Sequence, residues 1–242
     1  MVAVGYAAMP KAPGTGEIAK AMVATPLLEG VSLVAVRRLA DQGRMRDYRR
    51  GTYLCHQGDP ADEILFLLDG RVEIGSVSVT GNRVLHATVD TPQFVGELGV
   101  LAESDRTASV LTLEDSAVWV AGAEDFLAFL ADEPTAARGL MRALALQVEA
   151  NEAFVDDLLF LDLKGRVAKR LLQMATPSLD DLPDDGTAIP AVTHADLASL
   201  CGGSRENVTR VLSEFQRRGL LERDGKRYVL KKVDGLAKIA GL

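Results

Sequence analysis

The chain has 242 residues, 48% of them apolar and 25% charged, enough for one large hydrophobic core or two smaller ones. No apolar run approaches the ~18 residues a membrane helix needs, so no membrane partner is expected, and the sparse cysteines make a reducing cytoplasm the expected setting. The two cysteines, Cys55 and Cys201, are too few and too far apart for a disulfide framework or a four-cysteine metal or iron–sulfur site. The net charge of −7 argues against nucleic acid, but it is unevenly spread: residues 1–162 carry 13 basic and 24 acidic side chains, and residues 163–242 carry 14 basic and 10 acidic. Such asymmetry points to a nucleic-acid surface in the C-terminal part.

In chain order, residues 1–24 hold Gly5, Pro10, Pro13, Gly14 and Gly16 with no sustained period, and read as an irregular arm. The apolar start from Met1 to Met9 has no basic segment ahead of it, so a secretory signal is not expected. Ser32 is placed to cap a short amphipathic helix through Leu33, Val36 and Leu39, with Gly43 near its end. From Tyr48 to about Leu130 the pattern becomes short apolar or alternating runs: Thr52–Cys55, Glu63–Leu68, Arg71–Val79, Arg83–Val89, Ala108–Leu113 and Ala117–Val120. Gly58-Asp59-Pro60, Asp69-Gly70 and Gly81-Asn82 separate them, and Gly51, Gly58 and Gly70 are read as turn corners. This predicts an antiparallel sandwich or barrel.

Within that region, Phe94-Val95-Gly96-Glu97-Leu98-Gly99 and Asp105-Arg106-Thr107-Ala108 place glycines, a carboxylate, an arginine and a hydroxyl between two strands. The glycines let backbone amides approach a ligand. A short helix starting near Glu97 points free N–H groups at negative charge. Arg106 offers a planar fork matched to phosphate oxygens, and Glu97 can accept from a sugar hydroxyl. Phosphate and ribose together describe a nucleotide. An internal Glu97–Arg106 ion pair without ligand is the simpler alternative.

After Pro134 the period turns helical. Ala137, Met141, Leu144, Val148, Asn151, Val155 and Leu158 follow alternating steps of four and three, a seam for pairing with a second copy of the chain. Phe160-Leu161-Asp162 ends that helix as a hinge, and Asp162 caps the next, Leu163 to Ala175. Residues 176–191 read as an acidic surface loop, of which 176–187 is a candidate surface for RNA polymerase. Thr193 caps a helix from His194 to Leu200, Cys201-Gly202-Gly203 turns, and Ser204 caps a basic helix from Arg205 to Arg218: a helix-turn-helix. Leu220 to Leu230 alternates around Asp224-Gly225, predicting a type I′ hairpin, that is, a wing. Residues 234–242 read as a short tail helix.

In this order and spacing the motifs resemble the CRP/FNR transcription factors, over about residues 26–232. Gly51, Gly58-Asp59 and Gly70 look like the family's sensor β-roll. Gly96-Glu97-Leu98 with Arg106-Thr107-Ala108 is similar to its phosphate-binding cassette. Ser204-Arg205-Glu206 with Arg210 looks like the start of its recognition helix, and Leu161-Asp162 with Gly165-Arg166 like its hinge. The resemblance implies an α+β chain: an irregular arm (1–24), a cyclic-nucleotide-binding antiparallel β-roll or jelly roll (25–133), a long dimerisation helix (134–161), a C-terminal winged helix-turn-helix (162–232) and a tail (233–242).

It also implies roles. Arg106 would pair with the cyclic phosphate, Glu97 with the ribose 2′-hydroxyl, Thr107 with phosphate or base, and amides around Gly96 and Leu98 would complete the cradle. Arg205 would read guanine, Glu206 would accept from cytosine N4, Arg210 would contact another base edge, and Thr209 of the same helix would also bind DNA. Ser204 and Thr193 would touch phosphates, which position without specifying. A homodimer would bind a TGTGA-type palindrome with half-sites ~34 Å apart. Family members that respond to cAMP usually offer Thr followed by Ser or Asn to the adenine; here Asn151 and Glu152 stand instead. Asn151 fits a purine edge or a register-setting seam residue equally well. The expected effector is cAMP, with cGMP second; regulation by cyclic di-GMP, or DNA binding without any nucleotide, are the alternatives. Cys55-His56 reads as packing plus a surface imidazole, so haem and metal are not expected. His86 and His194 read as structural and Cys201 as a small buried residue. No nucleophile–base constellation remains, so no enzyme is expected.

Overall fold

The computed structural model describes residues 13–77, 83–176 and 178–242. The Gly81-Asn82 turn and the first twelve residues of the arm lie outside these. The chain divides into two compact units, one of residues up to Arg83 and Ala87–Leu146, the other of Val84–His86 and Gln147–Leu242.

The first unit opens with α1 (Thr15–Val23), which corrects the reading of residues 13–24 as irregular. Gly14 is the N-cap, and its N–H donates to the Glu17 carboxylate at 3.0 Å. Ile18, Ala19 and Met22 form a one-sided stripe that is buried. The stripe spans barely two turns, too short to stand out from a glycine-rich background. A single 3₁₀ turn (Pro26–Leu28) leads to α2 (Leu33–Gln42), capped by Ser32 as expected: its Oγ accepts from the Ala35 N–H at 3.2 Å.

Eight strands follow: β1 (Arg44–Tyr48), β2 (Tyr53–Cys55), β3 (Glu63–Asp69), β4 (Arg71–Val77), β5 (Arg83–Asp90), β6 (Gln93–Val95), then α3 (Glu97–Leu101), β7 (Ser109–Thr112) and β8 (Ser116–Gly122). They form two four-stranded sheets, ordered β1-β8-β3-β6 and β2-β7-β4-β5. The pairings of β8 with β1 and β3, of β6 with β3, and of β7 with β2 and β4 are antiparallel. Gly51, Gly58 and Gly70 all have positive φ (80°, 88° and 105°), the corner role expected of them.

β3 and β8 explain why their stretches read as unbroken apolar runs. Leu65, Leu67, Val118 and Val120 point into the core between the sheets. Ile64, Phe66, Trp119 and Ala121 point the other way, into a second core lined by helices. With successive side chains alternating faces, a strand sandwiched between two cores is apolar at every position. Fully burying each such side chain contributes about 1.5–3 kcal/mol. Trp119 keeps its indole N–H satisfied by donating to the Ala40 carbonyl at 3.1 Å.

The helical side of that second core comes from α1, α2, α4 (Ala123–Asp132) and the first turns of α5 (Pro134–Phe160). The sequence reading did not separate α4 from the strands before it. Ala136 and Leu140 of α5 are buried, and Leu144 packs against the same core. Leu144, assigned above to the seam, thus serves its own unit. Met141, Val148 and Val155, spaced by sevens, remain exposed.

The second unit holds the last turns of α5, α6 (Leu163–Gln173), α7 (His194–Leu200), α8 (Arg205–Arg217), β9 (Leu221–Asp224), β10 (Arg227–Leu230) and α9 (Val233–Ala240). Asp162, Thr193 and Ser204 cap α6, α7 and α8 through their side chains, each by accepting from the N–H three residues on. Two corrections arise. Asp224 pairs with Arg227, so the wing loop is Gly225-Lys226. Gly225 has φ 57°, whereas Lys226 is not in the positive-φ region, so the turn lacks the two positive φ angles of type I′. The short tail helix is present as α9, and its Val233, Leu236, Ala237 and Ala240 are buried in one core with Leu171, Leu172 and Phe215.

Candidate functional site

Gly96, Glu97, Leu98, Arg106 and Thr107 come together where β6 ends and β7 begins. Gly96 takes a left-handed conformation (φ 88°) as N-cap of α3, turning the chain so that Glu97 starts the helix. A side chain at Gly96 would collide with the Arg106 guanidinium. The backbone of Arg106 is clamped on both sides: its N–H donates to the Asp59 carbonyl at 2.8 Å, and its carbonyl accepts from the Gly58 N–H at 2.9 Å.

The Arg106 side chain is 5% exposed. Nη1 donates to the Gly96 carbonyl at 2.9 Å and Nη2 to the Glu63 carbonyl. Its Nε, also buried, has no partner. The simple Glu97–Arg106 pair is therefore not what the site contains: the guanidinium bonds to two carbonyls, and among the described residues its charge meets no hydrogen-bonded carboxylate. A buried cation in that state is costly unless an anion joins it. Glu97 is half-buried, and burial raises its pKa; hydrogen bonds from its own and the Gly96 backbone, and the nearby Arg106, act in the opposite direction. Leu98 and Thr107 are exposed at the rim. The chemistry on offer is a buried fork for an anion, a carboxylate acceptor beside it and a tight glycine turn.

Asn151 and Glu152 lie on the later part of α5, in the second unit, and both are exposed. His56 is spent locally: its N–H donates to Asp59 Oδ2 at 2.7 Å, and its ring lies 3.6 Å from the same carboxylate. Cys55 is half-buried, and burial raises its thiol pKa.

In the second unit Arg205, Glu206 and Arg210 are exposed on α8, and Arg210 donates to Asn207 Oδ1. Ser204 and Thr193 use their hydroxyls as caps. Thr209 is turned inward: its Oγ donates to the Arg205 carbonyl at 2.7 Å and meets His194 Nδ1 at 2.8 Å. His194 Nε2 meets the Tyr228 hydroxyl at 2.8 Å, so this ring ties α7, α8 and the wing together. The sequence reading recognised His194 as structural but had no signal for its partners, which lie 15 and 34 residues away. Arg166 was likewise seen only as a motif letter. Its Nε donates to the Cys201 carbonyl and Nη1 to the Leu161 carbonyl, both at 2.7 Å, pinning the end of α5 to the turn between α7 and α8. Cys201 is buried and its thiol is pushed up to about 11, which makes it unreactive.

Comparison with known proteins agrees with this division. A family model for the cyclic nucleotide-binding domain matches residues 45–133, and one for the Crp-like helix-turn-helix domain matches residues 165–239. A CRP-like cAMP-activated global transcriptional regulator from Mycobacterium tuberculosis is 29% identical over 217 residues, covering 88% of this chain and 96% of that one. The catabolite activator protein of Thermus thermophilus superimposes with a TM-score of 0.53 at 27% identity, over 90% of this chain and 99% of that one. The c-di-GMP responsive global regulator CLP of Xanthomonas campestris shares the fold with a TM-score of 0.69 at 24% identity, over 83% of this chain and all of that one.

Proposed function

This chain belongs to the CRP/FNR family of DNA-binding, cyclic-nucleotide-binding transcription regulators, and on that premise we propose that it is a cytoplasmic homodimer whose affinity for a TGTGA-type palindrome is set by cAMP. The observation that carries the nucleotide half is Arg106, a buried cation with an unpartnered Nε beside Gly96 and Glu97. A cyclic phosphate satisfies its charge, and the 2′-hydroxyl of the ribose donates to Glu97. The DNA half rests on α8, capped by Ser204, with Arg205, Glu206 and Arg210 exposed beside a wing. Dimerisation through α5 is supported by the exposed Met141, Val148 and Val155.

The cAMP assignment draws on the similarity to the cAMP-activated mycobacterial regulator. cGMP is the second reading, since Thr107, directly after the arginine, offers an acceptor to a guanine 2-amino group. Control of DNA binding follows from population shift: the nucleotide raises DNA affinity only by binding the DNA-competent state better.

The test is the melting temperature with cAMP, cGMP and cyclic di-GMP in turn. A ligand at a hundred times its Kd stabilises the folded protein by about 2.7 kcal/mol, so cAMP is expected to produce the largest upward shift. A melting temperature unmoved by all three nucleotides would overturn the effector reading and leave a regulator that binds DNA unaided.

A further inference from the structure

A cleft of about 630 Å³ opens among the start of α7, the first turn of α8 and the wing. Thr193, His194, Arg205, Arg223, Lys226 and Tyr228 line it, and no carboxylate does. The nearest acid on α7, Asp196, is already engaged: its Oδ2 accepts from the Thr193 hydroxyl at 2.7 Å. The cleft is therefore a cationic recess whose back wall is an imidazole.

The hydrogen bonds fix the proton on that imidazole. The Thr209 hydroxyl spends its proton on the Arg205 carbonyl, so toward His194 it can only accept, and Nδ1 carries the hydrogen. In the neutral ring Nε2 is then an acceptor, and Tyr228 donates to it. A relay runs from the wing through His194 to the first turn of the recognition helix. A second proton on His194 sits at Nε2. Tyr228 must then rotate to accept from it, which frees its own O–H to donate into the cleft.

We propose that this cleft takes a backbone phosphodiester of the bound DNA, and that filling it is coupled to uptake of one proton by His194. The inference rests on the DNA-binding reading of α8. Thr209 of α8 and Tyr228 of β10 bond the ring, while Arg205 of α8, Arg223 of β9 and Lys226 of the wing turn line the same cleft. In the free protein burial and then the cations Arg223 and Arg205 hold His194 below the usual histidine range. A phosphate neutralises that cationic field, favours the charged ring and gains the Tyr228 donor. DNA affinity therefore rises as the pH falls through the histidine range, by at most tenfold per unit for one proton.

The experiment measures Kd by fluorescence anisotropy from pH 8 to pH 6, at constant low ionic strength, for a TGTGA palindrome and for an unrelated duplex of equal length. A phosphate contact is independent of sequence, so both probes report it. The wild type is expected to tighten by about three- to tenfold, with His194→Gln flat on both duplexes. In parallel, the His194 ring resonance of the wild type, assigned by its absence from His194→Gln, is expected to titrate at higher pH with DNA than without. This second measurement needs no variant to fold for its titration. Equal pH slopes in the two proteins, or a His194 titration that DNA leaves in place, overturn the proton coupling while DNA binding stands. No binding to either duplex at any pH overturns the DNA reading itself, and the proposal with it.

Discussion

Arg106 and Gly96 form one unit: the guanidinium Nη1 donates to the Gly96 carbonyl at 2.9 Å, and only a residue without Cβ leaves room for it. The left-handed turn that starts α3 and the placing of the cation are therefore a single structural event. Arg106→Ala is expected to abolish cyclic-nucleotide binding in calorimetry. It also leaves the Gly96 and Glu63 carbonyls without their donor, at a cost of about 1–3 kcal/mol each where no water replaces it. Gly96→Ala strains the turn by about 1–2 kcal/mol and displaces Arg106, so it is expected to lose affinity by more than its fall in melting temperature explains. Undiminished nucleotide binding in Arg106→Ala would remove the phosphate role.

Glu97 sets a pH dependence of known sign. Burial raises its pKa, and accepting from a ribose hydroxyl requires the ionised form. Nucleotide affinity is expected to be full above the raised pKa and to fall as the pH drops through it, starting at higher pH than an ordinary carboxylate would give. Glu97→Gln should bind more weakly and lose this dependence. The stability consequence runs the other way. With a folded-state pKa above the unfolded one, Glu97 contributes most when protonated, and that contribution is lost as the pH rises through the folded value. Ligand-free Glu97→Gln is thus expected to melt slightly above the wild type at pH 7. A parallel affinity–pH curve in the variant would exclude Glu97 as the titrating acceptor.

What could be read from the sequence follows the range of the interactions. Ser32, Asp162, Thr193 and Ser204 were legible as caps because a cap bonds within three residues of itself. Strands β3 and β8 were legible because two cores demand apolar residues at every position. α1 and α9 were read as arm and tail because burial of Ile18 or Leu236 depends on partners from distant segments. The cassette residues were legible as chemistry, yet the carbonyl of Glu63 that holds Arg106 from 43 residues away left no mark in its side chain's identity. The backbone accepts there, and any residue type supplies a carbonyl.

Exposed Val148 and Val155 stand seven residues apart on α5, 55% and 50% exposed in the single chain. A heptad spacing of apolar residues on a helix face is the pattern of a paired seam. Val155→Asp is expected to shift the protein from dimer to monomer in analytical ultracentrifugation with its helical content intact. DNA affinity should drop with it, since a monomer engages one half-site. A monomeric wild type, or a variant that stays dimeric, would take α5 out of the interface.

Arg205 is exposed in the first turn of α8. A bidentate arginine–guanine contact is worth about 1–3 kcal/mol of discrimination. Arg205→Ala is therefore expected to weaken binding to the TGTGA palindrome by roughly 5- to 150-fold, while affinity for an unrelated duplex falls much less. A gel shift in which both duplexes weaken equally would assign Arg205 to the phosphate backbone instead of a base.

Arg166 joins the end of α5 to the helix-turn-helix. It donates to the Leu161 carbonyl before α6 and to the Cys201 carbonyl in the turn before α8. Lys169 adds a 2.6 Å ion pair to Asp157 on α5, with both side chains mostly buried. Phe160–Asp162 is therefore braced against the helix-turn-helix. Removing the brace should separate the two activities. Arg166→Ala is expected to leave nucleotide affinity unchanged and to lower stability by about 1–3 kcal/mol for each carbonyl left without a partner. The factor by which the nucleotide raises DNA affinity should shrink, because coupling free energy needs an element whose state both sites bias. The measurement is DNA Kd with and without saturating nucleotide, below the melting temperature of the variant. An unchanged ratio would show that the signal reaches α8 by another route.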